Sequence, residues 1–300
     1  MSAAANEDFL QGMATASRAR AEAAKAEVSE STLLEIISQL PPPPPLRLHG
    51  GFDLIAEMKL RSPAVGQLKA AQDNDIGARV MSYAEGGAAA VSVLTEPSRF
   101  DGHLEHLASA SWVLQPMGVP AMRKDFLVDP YQVLEARAYG AGGVLIIISM
   151  LSRTQLDELC AAAREQGLFV LLEAFDEADI ALSHDLVAGW RTASDPTVAA
   201  PQVLVGINSR DLRTLKVVPG RLEPLAHLLP KDFPRVAESG VGSAQDAARM
   251  AAAGYDLALV GSALMTGGDP RALAHDMIEA GRAACSGRHQ PRPVFGEGAG

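Results

Sequence analysis

Short apolar runs recur along most of this chain, at 53–58, 89–94, 119–122, 143–148, 168–172, 203–207, 235–237 and 257–260. Stretches with helical spacing alternate with them, at 74–86, 104–114, 130–139, 152–166, 176–186, 219–228, 244–253 and 270–283. The apolar runs lack the in–out alternation of a half-exposed strand, so they read as strands covered on both faces. Capping residues precede several helices: Asp129 before Pro130, Ser152, and Ser243 before Ala244. Eight strand–helix units in about 230 residues predict a single (β/α)8 barrel of the α/β class, with a doubly wound open sheet as the alternative. The polar segment 188–202, which contains two prolines, reads as an extra loop between the fifth helix and the sixth strand.

Ahead of the barrel, residues 7–39 have helical composition. The apolar stripe Leu33, Leu34, Ile36, Ile37, Leu40 marks 31–40 as the docked helix, with a frayed start before it. Pro41–Pro45 cannot be helical and is expected as extended polyproline. The expected organisation is a helical extension and proline linker at 1–45, a barrel at 46–285 and a disordered tail at 286–300. The 31–40 helix is expected to lie near the barrel mouth as a lid. The alternative is a plug in the opposite face.

In such barrels the active site lies at the C-terminal strand ends. The polar residues there are Glu57, Lys59 and Ser62 on strand one, and Arg123, Lys124 and Asp125 on strand three. Strand five contributes Glu173, strand six Asn208 and Arg210, and strand seven Glu238 and Ser239. Each alone is compatible with an ordinary solvated rim. Three glutamates, two lysines and an asparagine converging on one mouth point to an active site. Glu57 and Lys59 stand two apart, so they project to one side, and such a pair is either a structural ion pair or a working one. The turns Ser239-Gly240 and Gly261-Ser262 each follow a strand and precede a helix. They suit a phosphate held by backbone N–H groups, the alternative being plain turn glycines.

Composition narrows the partners. Twenty-six Lys and Arg against 36 Asp and Glu give a net charge of −10, which argues against nucleic-acid or anionic-membrane binding. Two cysteines, Cys160 and Cys285, build no disulfide framework and suit a reducing cytoplasm. No secretory leader or membrane-spanning run is evident. The seven histidines do not gather at strand ends, and His103 with His106 reads as a surface pair, so no metal is expected. The first strand is followed by no G-x-G-x-x-G, so no dinucleotide cofactor is expected either.

Six runs, in this order, resemble the indole-3-glycerol phosphate synthase family: IAEMKLRSP (55–63), RKDFLVDPYQVLEARAYGA (123–141), LLEAF (171–175), VGINSRDLRTL (205–215), AESGV (237–241) and LVGSALM (259–265). The resemblance spans about 31–283. It implies a cofactor-free carboxy-lyase of tryptophan biosynthesis. That enzyme closes the indole pyrrole ring of 1-(2-carboxyphenylamino)-1-deoxyribulose 5-phosphate with loss of carbon dioxide and water. It further implies Glu57, Lys59, Lys124, Glu173, Asn208 and Glu238 as the catalytic group. Ser62, Arg210 and Ser239 are implied in substrate binding, and Gly240, Gly261 and Ser262 around the phosphate. The partner is then a small phosphorylated molecule and the protein a monomer or weak homodimer. The chain departs from the family pattern at Ala64-Val65, Gly102-His103, Phe175 and Ser209. Those departures fit a second reading, a paralogue using a substituted anthranilate-derived ribulose phosphate. A third reading is a non-catalytic phosphate-binding barrel.

Overall fold

The computed structural model describes residues 3–62, 66–67, 75–192, 203–211 and 216–285, leaving aside the side chains of 3–8, 62, 67 and 189–192. Eight parallel strands close into a barrel: β1 Asp53–Met58, β2 Ala90–Leu94, β3 Ala121–Lys124, β4 Gly143–Ile147, β5 Phe169–Ala174, β6 Val203–Asn208, β7 Arg235–Glu238 and β8 Leu257–Val260. Each pairs with its sequence neighbours, and β1 closes the ring on β8 through Asp53–Leu257 to Ala56–Val260. A barrel has no free edge, so every strand backbone is paired.

Side chains alternate between two apolar clusters. Ile55, Met122, Leu145, Leu171, Leu204, Val236 and Leu257 fill the barrel. Leu54, Val91, Val144, Val170, Val205 and Ala258 point outward against the helices. On this alternation Glu57, Lys124, Glu173, Gly206 and Glu238 continue the inward rows to the C-terminal ends of their strands.

Two N-terminal helices precede the barrel: α1 Ala3–Glu27 and α2 Glu30–Gln39. The surrounding helices are α3 Ile76–Glu85, α4 Leu104–Leu114, α5 Pro130–Ala138, α6 Arg153–Glu165, α7 Glu177–Thr192, the single turn α8 Leu222–Leu225, α9 Ala244–Ala253, α10 Ser262–Thr266 and α11 Pro270–Cys285. The predicted caps are in place. Asp129 accepts from Tyr131 N–H, Ser243 accepts from Asp246 N–H, and Ser152 forms a capping box with Gln155.

Three expectations are corrected. The chain start is not frayed from residue 3 onward, because α1 is a 25-residue helix that buries Leu10, Met13, Ala14, Ser17 and Ala21. The helix beside the mouth is α1, not 31–40. Within α2 only Leu33 is buried, Leu34 and Ile36 are exposed, and the helix packs on α5 away from the mouth. The supposed loop at 188–202 begins as helix, since α7 runs on to Thr192 and no proline intervenes before Pro196. Residues 193–202, and the tail 286–300, lie outside the described residues.

The proline run is extended, and it leads down the barrel wall. Arg137 Nη2 donates to Pro41 O at 2.6 Å and Gln115 Nε2 to Pro42 O at 3.2 Å. Leu46 then joins the apolar cluster of the barrel interior. α1, through Phe9, stands at the mouth.

Candidate active site

The C-terminal strand ends surround a cavity of about 380 Å³. Glu57, Lys59, Lys124, Glu173, Asn208, Arg210, Glu238, Ser239, Gly240, Gly261 and Ser262 all line it. The side chain of Ser62, the remaining predicted site residue, lies outside the described residues. His103 and His106 stack edge to face, centroids 5.1 Å apart, and are not among the lining residues.

Two ammonium–carboxylate groups face the cavity. Lys59 Nζ donates to Glu57 Oε1 at 2.6 Å. Lys124 Nζ donates to Glu173 Oε2 at 3.0 Å and stands 3.7 Å from Glu238 Oε2. All five side chains are largely buried. Burial pushes the Glu57 carboxyl up, but Lys59 and Lys124 outweigh it and hold the group below its ordinary range. Burial likewise disfavours the Lys124 ammonium, and Glu173, Glu238 and Glu57 reverse this, raising it above its ordinary value. Glu238 goes the other way, raised well above a normal carboxyl by burial and then by Glu173. Glu57 and Glu238 are thus pushed in opposite directions within one mouth.

Glycines seat these acids. A Cβ on Gly261 would fall on Glu57 Oε1 and within 2.9 Å of Lys59 Nζ. A Cβ on Gly206 would fall on Glu238 Oε1. Neither duty is visible in a sequence, where Gly261 reads as part of a phosphate-binding turn and Gly206 as a strand interior.

At the β7 end, Ser239 and Gly240 have φ of 65° and 79°, a left-handed pair that turns the chain sharply. Ser209 braces that turn, its hydroxyl donating to Ser239 O at 3.0 Å and its N–H to Glu238 O at 3.0 Å. Asn208 Oδ1 accepts from Arg210 N–H at 2.9 Å. Gly242 N–H, further along, is taken by Asp246 at 3.0 Å.

The opposite wall is aromatic, and sequence reasoning missed most of it. Phe9 on α1 meets Phe126 edge to face at 6.1 Å, and Phe100 lies 6.3 Å from Phe126. All three, with Phe175, line the cavity. The RKDFLVDPYQ run also serves as the berth of α1. Asp125 accepts from Arg20 at 2.8 Å, from Thr95 at 2.9 Å and from Arg123 at 3.3 Å. Lys25 pairs with Asp129 at 2.7 Å, Tyr131 OH donates to Ala24 O and Val28 O, and Gln132 donates to Ser17 Oγ.

Comparison with known proteins settles the family. The family model described as indole-3-glycerol phosphate synthase matches residues 17–277. The chain belongs to that family. An indole-3-glycerol phosphate synthase of Parafrankia sp. (strain EAN1pec) is 42% identical over 228 residues, 76% of this chain and 78% of that protein. One from Mycobacterium tuberculosis (strain CDC 1551 / Oshkosh) is 35% identical over 278 residues, covering 92% and 94%. Among solved structures, 3-hexulose-6-phosphate synthase from Salmonella typhimurium superposes with a TM-score of 0.57 at 14% identity, over 78% of this chain and all of that one, a likeness of fold alone. The activity of the family, a carboxy-lyase step of tryptophan biosynthesis that forms indole-3-glycerol phosphate, is accordingly the activity of this chain.

Proposed function

We propose that this mouth closes the indole ring with Lys124 as the principal proton donor. The observation that carries the reading is the Lys124 ammonium, buried at the cavity wall and held by Glu173 at 3.0 Å with Glu238 at 3.7 Å. As the aromatic carbon attacks the substrate carbonyl, negative charge grows on the carbonyl oxygen. A fixed ammonium stabilises that charge and then protonates it. Loss of carbon dioxide restores aromaticity. Dehydration then needs an acid for the leaving hydroxyl and a base for a ring proton. Glu57, kept ionised by two lysines, suits the base, and Lys59 suits the acid that protonates the leaving hydroxyl, their 2.6 Å bond returning the abstracted proton from Glu57 to Lys59. Glu173 orients Lys124 and shares in this acid–base work, while Asn208 aligns the sugar hydroxyls.

The phosphate is assigned to the Ser239-Gly240 and Gly261-Ser262 turns, with Arg210 and Ser62 as its further partners. The aromatic ring of the substrate is assigned to the wall of Phe9, Phe100 and Phe126. The rest of the reading is a cytoplasmic monomer or weak homodimer, and the net charge of −10 supports the absence of a nucleic-acid partner.

The test is continuous ultraviolet detection of the indole product from purified protein and 1-(2-carboxyphenylamino)-1-deoxyribulose 5-phosphate. Turnover abolished by Lys124→Ala supports the assignment. Faster turnover of ring-substituted substrates than of this one would favour the paralogue reading, which Phe175 on the cavity wall motivates.

A further inference from the structure

Gly206 is the registered partner of Glu173 across β5 and β6, and of Val236 across β6 and β7. The space its missing Cβ leaves is filled by Glu238 Oε1. The Glu238 carboxyl therefore leans over β6, the strand that pairs with Glu173, and the two carboxyls converge on one ammonium, Lys124 Nζ, at 3.7 Å and 3.0 Å. Both Glu238 oxygens are buried, and neither has a hydrogen-bond partner among the described residues. The near cation is Lys124, whose shorter bond goes to Glu173. The other charged or titratable neighbours are Glu57 on β1 and Tyr255, whose hydroxyl is committed to Leu222 O at 2.8 Å.

Two carboxylates confined in one buried site do not both stay ionised, and the one with fewer donors keeps the proton. We propose that Glu238 is a neutral carboxylic acid in the resting enzyme and acts as a positioning residue, donating its hydrogen bond to the Glu173 carboxylate. The pair then carries a single negative charge, and that charge is what Lys124 faces. The hydrogen bond fixes the plane of the Glu173 carboxyl and so the direction from which Lys124 enters the cavity. No proton leaves Glu238 during turnover. It supplies a donor and nothing else. The inference rests on the catalytic reading of this mouth only for its effect on rate, not for the protonation state.

Infrared spectra of the full-length, ligand-free protein at about pH 8 test the protonation state without any turnover, where ordinary carboxyls are ionised. A protonated-carboxyl carbonyl band is expected in the wild type, shifted by carbon-13 labelling of glutamate and lost in Glu238→Gln. A spectrum with no such band, or a band that survives Glu238→Gln, overturns the proposal. Steady-state rates test the positioning role. Glu238→Gln keeps an N–H donor and is expected within about fivefold of wild-type kcat, whereas Glu238→Ala loses a preorganised donor and falls about 10²-fold or more. Gln as damaging as Ala overturns the donor role. An infrared result in favour, with no indole formed by the wild type, would instead count against the catalytic reading.

Discussion

Arg20 Nη2 donates to Asp125 Oδ1 at 2.8 Å, so the first helix of the chain is bonded to the residue next to Lys124. Asp125 is buried and also held by Thr95 and Arg123. Removing Arg20 takes one charge-assisted bond from it. Arg20→Ala is expected to lower stability by about 1–3 kcal/mol and to lower kcat, with Arg20→Lys recovering part of both. Urea unfolding and steady-state kinetics check this. Unchanged kcat and unchanged stability together would show the bond to be idle.

Phe9 should act on a different kinetic constant. Its ring closes the aromatic wall against Phe126. An aromatic pair contributes about 0.5–1.5 kcal/mol beyond burial. Phe9→Ala should therefore raise KM up to about tenfold and leave kcat nearly constant. A fall in kcat with KM unmoved would place Phe9 outside substrate binding.

Lys124→Ala is expected to cost about 10²–10³-fold or more in kcat, the usual consequence of losing a preorganised charge in a water-poor site. Because neighbouring carboxylates, Glu173 first among them, raise its affinity for a proton, Lys124 stays charged across the neutral range. Retention of turnover within a few-fold would hand the donor role to Lys59.

Gly261→Ala tests the seat of Glu57. The new methyl would fall on Glu57 Oε1 and lie 2.9 Å from Lys59 Nζ, so the pair must move. A displacement on the order of 1 Å costs about 10²-fold in rate. Circular dichroism and a crystal structure of the variant should show the barrel intact. Full activity would show that the Glu57–Lys59 geometry is not critical.

Asp179 gives a stability signature. Burial lifts its carboxyl to about 6 from an ordinary 3.8, against the pull of the Phe175 N–H. A folded-state value above the unfolded one means that the proton stabilises the fold. That contribution is complete below about pH 4 and is lost as pH rises through about 6. Asp179→Asn removes the titration. The stability difference between variant and wild type should shift in favour of Asn from about pH 4 to about pH 7 and then level off. A difference independent of pH would contradict the raised value.

The strands were legible because buried parallel strands leave long apolar runs, and all eight lie within two residues of their predicted bounds. The mouth was legible because charges at the ends of such runs are costly unless used. The role of α1 was not. Its buried stripe is Ala14, Ser17 and Ala21 as much as Leu10 and Met13, and small residues give little hydrophobic signal. The louder stripe of α2 misled, since Leu34 and Ile36 stay in solvent. The glycine seats at 206 and 261 depend on which side chains lean across which strand, and no local pattern encodes that.

The strap formed by α1, α2 and the proline run also has a timetable. Arg20 finds Asp125 105 residues later, Ser17 finds Gln132 115 residues later, and β1 cannot close on β8 until Leu257 has been made. On the ribosome the first helix therefore emerges long before its berth exists. Its weakly apolar, Ala-rich face is the kind that can wait in water without aggregating. A more hydrophobic face would hold the mouth harder in the finished enzyme and leave the nascent chain exposed for the whole interval.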